Sequence, residues 1–92
     1  ILFVFTSPVR PNFHMNNVVA PIDIAFINAQ GRIDVIHKMK VYDSSGRKQY
    51  YGPKLPVVAA LEVSPSYFEE NSIGSDSVIT WELVQRGGKT LR

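Results

Sequence analysis

The chain has 92 residues, of which 45% are apolar and 20% are charged, and its formal net charge is +2. This composition is typical of one small globular domain and excludes a disordered chain, and the low net charge argues against a broad nucleic-acid-binding surface. There is no cysteine, which excludes disulfides, thiol nucleophiles and cysteine-based zinc sites. Apolar runs such as residues 1–5 are far shorter than a membrane span.

The first predicted strand covers residues 1–5, a continuous run of β-prone apolar residues that is typical of a strand covered on both faces. Residues 6–11 contain two prolines, so we expect the strand to end there. A short strand is predicted over residues 13–16, followed by a connector over residues 17–21.

A β-hairpin is the next predicted element. Residues 22–28 and 32–41 alternate from one face to the other, and three residues ending in Gly31 separate them. Gly31 suits a turn position with positive φ. In the second strand, the alternation places Ile33 on the same face as Val35.

Residues 43–56 contain several glycines, serines and prolines and are predicted to be irregular. A strand over residues 57–63 precedes a short helix. Ser66 and Glu69 have the spacing of a capping box at its start. We expect the two aromatic residues of this helix to anchor it to the sheet.

A last strand is predicted over residues 78–84, followed by a flexible tail at residues 86–92. The elements indicate an all-β fold, mainly antiparallel, in the form of a small sandwich or a barrel-like roll with one short helix. We therefore predict a single compact domain over residues 1–85.

Several segments together resemble the family known as domain of unknown function 192. Its pattern is close to Phe-Trp-Met-Lys-Asn-Thr, then Pro-Leu-Asp-Ile, then Phe, then a hairpin that contains Gly. The matching residues of this chain are Phe13, Met15, Asn17, Pro21, Asp23, Ile24, Phe26 and Gly31. Residues 1–5, 60–65 and 76–78 are similar to further blocks of the family, so the resemblance runs from residue 1 to about residue 80.

The chain departs from the family pattern at His14, Asn16 and Val18, where the family has tryptophan, lysine and threonine. The resemblance implies a compact all-β fold, a further strand before the segment matched by residue 1, and, in many bacterial members, export behind a signal sequence. No signal sequence is visible in this chain, so the localisation stays open. The resemblance implies no activity.

The candidate site consists of His14, Asn16, Asn17, Asp23 and Glu62. Amide and carboxylate groups suit the binding of a polar ligand such as a sugar. The alternative is structural, because Asn17 and Asp23 flank the proline connector. Short polar side chains in such positions commonly bind backbone N–H groups.

Two kinds of chemistry are also considered for these residues. Asp23 and Glu62 lie on different predicted strands, and a carboxylate pair on neighbouring strands suits a hydrolase. The alternative is that each carboxylate faces solvent or pairs with an arginine. His14, His37 and Asp23 are of the types that bind zinc or iron, but their spacing forms no metal motif, and we predict neither a metal nor a cofactor.

Residues 37–54 combine five basic residues with three tyrosines. This mixture occurs in proteins that bind single-stranded nucleic acid and also on ordinary solvated surfaces. The low net charge favours an ordinary surface.

Three functions therefore stay open. The first is a non-catalytic module that binds a small polar ligand or a partner protein, and the second is a hydrolase that uses Asp23 and Glu62. The third is a purely structural or interaction domain. An open sheet edge would also allow a homo-oligomer to form.

Overall fold

A computed structural model describes residues 1–42, 49–81, 85–86 and 89–90 of the chain. The elements in order are β1 (Leu2–Val9), β2 (Ile22–Ile27), β3 (Ile33–Met39), β4 (Val57–Val63), α1 (Tyr67–Glu70), β5 (Gln85–Arg86) and β6 (Lys89–Thr90). Within these ranges, no helix has the length and apolar character needed to cross a membrane.

Strands β1 to β4 form one antiparallel sheet in the order β1-β4-β2-β3. The sheet is open, with β1 and β3 at its edges, while β5 and β6 pair with each other. The prediction of an all-β fold with one short helix is confirmed, in the form of an open sheet and not a closed barrel. The domain limits of 1–85 and the tail over 86–92 stay predictions.

The predicted hairpin is confirmed, but it contains a β-bulge. Phe26 pairs with Val35, whereas the next residue of β2, Ile27, pairs with Ile33. Asp34 is therefore an extra residue that shifts the alternation of β3. As a result Ile33 packs with Ile27 on the face opposite Val35, and the prediction that Ile33 and Val35 share a face is wrong.

Both faces of the central strands are buried. On the loop face, which carries Ile24 and Phe26, Met15 and Tyr51 from the connecting segments cover the sheet. On the helix face, the covering residues are Phe68 of α1, Ile73 and Ile79; the sheet residues beneath them are Ala25, Ile27, Ile33 and Ala59. Full burial of a large apolar side chain stabilises a fold by roughly 1.5–3 kcal/mol, so each of these two clusters is a substantial part of the core.

Strand β1 is covered on one face only. Phe3 and Phe5 pack on the loop face, whereas Val4 is 58% exposed on the other side. The prediction of a strand covered on both faces is wrong, because the residues that cover the helix face do not extend to this edge. The strand also continues through Pro8 to Val9 after a register shift, since an edge strand tolerates proline.

Helix α1 has no capping box. Ser66 has a left-handed backbone with φ 71°, and its hydroxyl makes no cap hydrogen bond. The predicted Ser66–Glu69 box is therefore wrong. Of the two aromatic residues expected to anchor the helix, Phe68 is buried and Tyr67 is exposed.

Two further predicted strands are reduced to single bridges. Phe13 bridges Tyr51, with both backbone hydrogen bonds at 2.8 Å. Val78 bridges Arg32, and residues 79–81 have no strand assignment. Residues 82–84 of the predicted last strand and residues 43–48 of the predicted irregular segment lie outside the described residues.

Candidate functional site

Asp23 lies near the start of β2 and points to the helix face. Its side chain is almost fully buried, and Oδ2 accepts a hydrogen bond from the backbone N–H of Ser66 at 3.0 Å. The same oxygen is 3.6 Å from Nζ of Lys38, which also pairs with Glu69 on α1.

Lys38 links β3 to α1 from the solvent side. The hydrogen bond to Glu69 raises the pKa of Lys38 above 10.5, partial desolvation opposes this, and the charge of Asp23 adds to the increase. The Lys38 side chain is 61% exposed, so solvent screens these ion pairs. Lys38 therefore stays protonated through the neutral range and holds a charged contact across the helix face.

Glu62 is on β4, which pairs directly with β2, but it faces the other way. Asp23 pairs with Val63, and Glu62 pairs with Ile24. Directly paired residues of neighbouring strands point to the same face, and successive residues alternate. Glu62 therefore shares the loop-face orientation of Ile24, and the two carboxylates of the suggested hydrolase are not brought together.

A groove of about 430 Å³ lies at the end of the sheet where β2 begins and β4 ends. Its lining residues are Ile1, Ala20, Pro21, Ile22, Glu62, Val63, Ser64 and Pro65. Burial raises the pKa of Glu62, and the nearby amino group of Ile1 lowers it by a smaller amount. Glu62 is half-buried, and its carboxylate accepts no hydrogen bond from the part of the chain that the structure describes. The groove thus contains a partly desolvated carboxylate beside apolar walls.

His14, Asn16 and Asn17 do not line this groove. They are exposed on the connector, where Nδ1 of His14 accepts a hydrogen bond from the backbone N–H of Asn16 at 3.2 Å. Asn17 has φ 65°, and a hydrogen bond of 3.0 Å closes the turn over Met15–Val18. Asparagine adopts this left-handed conformation more readily than most residues, so Asn17 serves the geometry of the turn.

The three residues considered for a metal are also separated. His37 lies on the loop face, where its Nε2 is 2.8 Å from the carbonyl oxygen of Gly52 and its ring packs near Tyr51. Asp23 lies on the opposite face, and His14 is exposed. Across residues 1–42 and 49–81, no three histidine or carboxylate side chains lie close enough to hold a metal.

Most of the groove was missed by reasoning from the sequence. Of the five predicted site residues, Glu62 alone lines it; Pro21, which also lines it, was predicted only as part of the connector. The groove is formed by the pairing of β2 with β4. That pairing brings the start of one strand to the end of the other, but the sequence does not identify which strands are neighbours.

A family model, DUF192, described as an uncharacterized ACR, matches residues 1–81. The chain is also similar to a solved structure from Sinorhizobium meliloti 1021, provisionally described as a transcription regulator, with 25% identity and a TM-score of 0.69. The similarity covers 82% of this chain and 56% of that one, so this chain matches little more than half the length of that protein. None of the curated proteins matches the sequence.

Proposed function

Because the chain belongs to the DUF192 family, which is described as uncharacterized, we propose a function from the geometry of the groove. The protein is a non-catalytic module that binds a small polar ligand through Glu62. The ligand carries an amino group, which meets the carboxylate, and an apolar portion, which lies against the groove walls.

The observation that carries this proposal is the state of Glu62. Its carboxylate is partly removed from water, and this raises its pKa. A cation beside the carboxylate would stabilise the ionised form and offset that cost. Among the described residues that line the groove, Glu62 has the one charged side chain, the amino group of Ile1 adds a positive charge nearby, and Pro21, Ile22 and Val63 supply apolar surface. An amine with a short carbon chain complements both features.

Two other functions are less well supported. A hydrolase of the kind considered above needs two convergent carboxylates, and Asp23 is engaged on the other face of the sheet. The description of the Sinorhizobium meliloti protein as a transcription regulator suggests nucleic acid as a partner. A net charge of +2 supplies little of the electrostatic attraction that such binding requires.

The proposal is tested by titrating the protein with ethanolamine and following the backbone amide resonances. We expect saturable shifts confined to the groove, at residues 20, 22 and 62–64. Glu62→Gln should abolish them, because the amide carries no charge. Glu70→Gln is the matched control, since Glu70 is exposed on α1 away from the groove.

Glycerol is the neutral probe in the same experiment. Groove shifts with glycerol equal to those with ethanolamine would show that charge does not select the ligand. Ethanolamine shifts that persist in Glu62→Gln would place binding elsewhere. Either result contradicts the proposal.

A second candidate is binding of a partner strand at β1, supported by the exposed apolar residues of that edge. The outer edge of β1 pairs with no strand in the described residues, and Leu2 and Val4 are both exposed beside it. We propose a second copy of the chain as the partner. Sedimentation velocity should show a concentration-dependent dimer that Val4→Lys removes and Val19→Lys, an exposed connector control, retains. A monomer throughout the concentration series would contradict this candidate.

A further inference from the structure

A second cleft, of about 320 Å³, lies at the opposite end of the sheet from the groove. It is formed where the β2–β3 turn meets the start of β4 and the segment that follows residue 78. Its polar lining comes from Asn28, Gln30 and Thr80, and its apolar lining from Val58, Ile79 and Trp81. Nothing in the amine-binding proposal involves this cleft.

The wall that carries the polar groups is held by the protein's own hydrogen bonds. Oδ1 of Asn28 accepts from the backbone N–H groups of Gln30 and Arg32, each at 3.0 Å. Ile79 donates its N–H to the carbonyl oxygen of Gly31 at 2.7 Å, which fixes the turn against the neighbouring segment. Because this wall is already ordered, the protein loses less conformational entropy when a ligand binds.

Gly31 explains why the two segments approach so closely. It has φ 78°, and a Cβ at this position would lie 3.0 Å from the carbonyl oxygen of Ile79. Only glycine accommodates both the left-handed backbone and this approach without strain. The close approach of Gly31 to Ile79 therefore forms part of the cleft.

The chemistry of the lining selects for a neutral ligand. Among the described residues that line the cleft, none carries a charged side chain, and Trp81 is 41% exposed beside it. Within the described residues, the Asn28 side chain forms hydrogen bonds through Oδ1 alone, so its NH₂ group is available to a ligand. Gln30 and Thr80 are exposed and add both donors and acceptors. An indole beside amides and a hydroxyl combines an apolar platform with neutral polar groups.

We propose that this cleft binds a neutral sugar ring, with the C–H face of the ring on Trp81 and its hydroxyls on Asn28, Gln30 and Thr80. The volume is at the low end of the roughly 300–1,000 Å³ usual for ligand pockets, which suits one ring. Phosphorylated and acidic sugars find no cationic partner among the described residues of the lining. Neutral pyranoses therefore bind in preference to their charged derivatives.

Trp81 is the single tryptophan of the sequence, so intrinsic fluorescence reports directly on the cleft. The probes are the methyl glycosides of glucose, galactose and N-acetylglucosamine, with glucuronate as the charged comparison. We expect a saturable change in tryptophan emission with at least one neutral glycoside and none with glucuronate. Gln30→Ala and Thr80→Val should each weaken that binding several-fold, whereas Gln49→Ala, an exposed amide outside the cleft, should leave it unchanged.

The inference is overturned if no neutral glycoside gives a saturable change, if glucuronate titrates like the glycosides, or if Gln30→Ala and Thr80→Val both bind like the unmodified chain. Circular dichroism of both exposed-site variants checks that they are folded. Glu62→Gln should bind the glycoside normally. A failure of the amine-binding proposal therefore leaves this one standing, and the reverse also holds.

Discussion

Asp23 and Glu62 are carboxylates on directly paired strands, one step apart in register, yet their surroundings differ completely. Asp23 is buried on the helix face and holds the N–H of Ser66 together with the Lys38 ion pair. Glu62 is half-buried in a groove, and its carboxylate accepts no hydrogen bond from the described residues. Successive residues of a strand point to opposite faces of the sheet. Two acidic residues at the same end of one sheet can therefore have different surroundings and different roles.

The two carboxylates differ in their capacity to bind a ligand. A buried polar group whose hydrogen bonds are satisfied within the protein has little capacity left for a ligand. A partly desolvated group without such partners has that capacity and bears an electrostatic cost that a ligand can offset. Asp23 is therefore expected to matter for stability, and Glu62 for binding.

The helix face should show the largest loss of stability. Phe68 is 1% exposed and fills the space between α1 and the sheet, so Phe68→Ala should lower the free energy of unfolding by about 3–5 kcal/mol. Tyr67→Ala, the neighbouring exposed aromatic, should cost much less. Urea denaturation measures both. Equal losses would mean that α1 is not held by the buried ring.

Removing the Asp23 carboxylate should have the next largest effect. Asp23→Ala leaves the Ser66 N–H without its acceptor, and we expect a loss of about 1–3 kcal/mol. Asp23→Asn should lose less, because an amide oxygen can still accept that hydrogen bond. Glu62→Ala is the direct comparison, and its loss should be clearly smaller. A Glu62→Ala loss as large as that of Asp23→Ala would break the contrast between the two carboxylates.

The sequence allowed part of this contrast to be predicted. The alternation of residues 22–27 correctly separates the face of Asp23 from that of Ile24. The orientation of Glu62 relative to Asp23 depends on the pairing of β2 with β4 and on its register, which arise from contacts far apart in the chain. The alternation of each strand restricts the possible registers, but it does not identify which strand is the neighbour.

Other features escaped prediction for similar reasons. Ser66 adopts a left-handed backbone that is unusual for a residue other than glycine, and its N–H is held by Asp23 from 43 positions away in the sequence. The bulge at Asp34 moves Ile33 to the other face, although residues 32–39 contain no glycine or proline that would indicate a bulge. The contact between Ser66 and Asp23 joins residues far apart in the chain, so the local sequence does not reveal it.

The charged contact of Lys38 should appear as a dependence of stability on alkaline pH. The pKa of Lys38 is raised in the folded state, so its contribution is fully present below 10.5 and is lost as pH rises through the raised value. Lys38→Gln should lack this loss. The measurement is the difference in unfolding free energy between the two proteins across that range, which cancels other titrating groups. The difference should be small because Lys38 is exposed, and a difference that does not shrink with rising pH would contradict the assignment.

The smallest predicted effect concerns Glu62, whose replacement by Gln should stabilise the protein at neutral pH. Its folded-state pKa is raised above 4.5, so the folded protein holds this proton more tightly than the unfolded chain does. The resulting stabilisation is complete below pH 4.5 and is lost as pH rises through the raised value. Above that value the ionised carboxylate retains its desolvation cost, which an amide does not have.

Glu62→Gln should therefore be slightly more stable than the unmodified chain at neutral pH, by no more than about 0.5 kcal/mol, and this advantage should shrink as pH falls through the raised pKa towards 4.5. Urea denaturation over a pH series measures it, and Glu70→Gln controls for the loss of one negative charge from the surface. A Glu62→Gln variant less stable than the unmodified chain at neutral pH would mean that the carboxylate stabilises the fold. In that case Glu62 would resemble Asp23, and the proposal that the groove binds a ligand would lose its support.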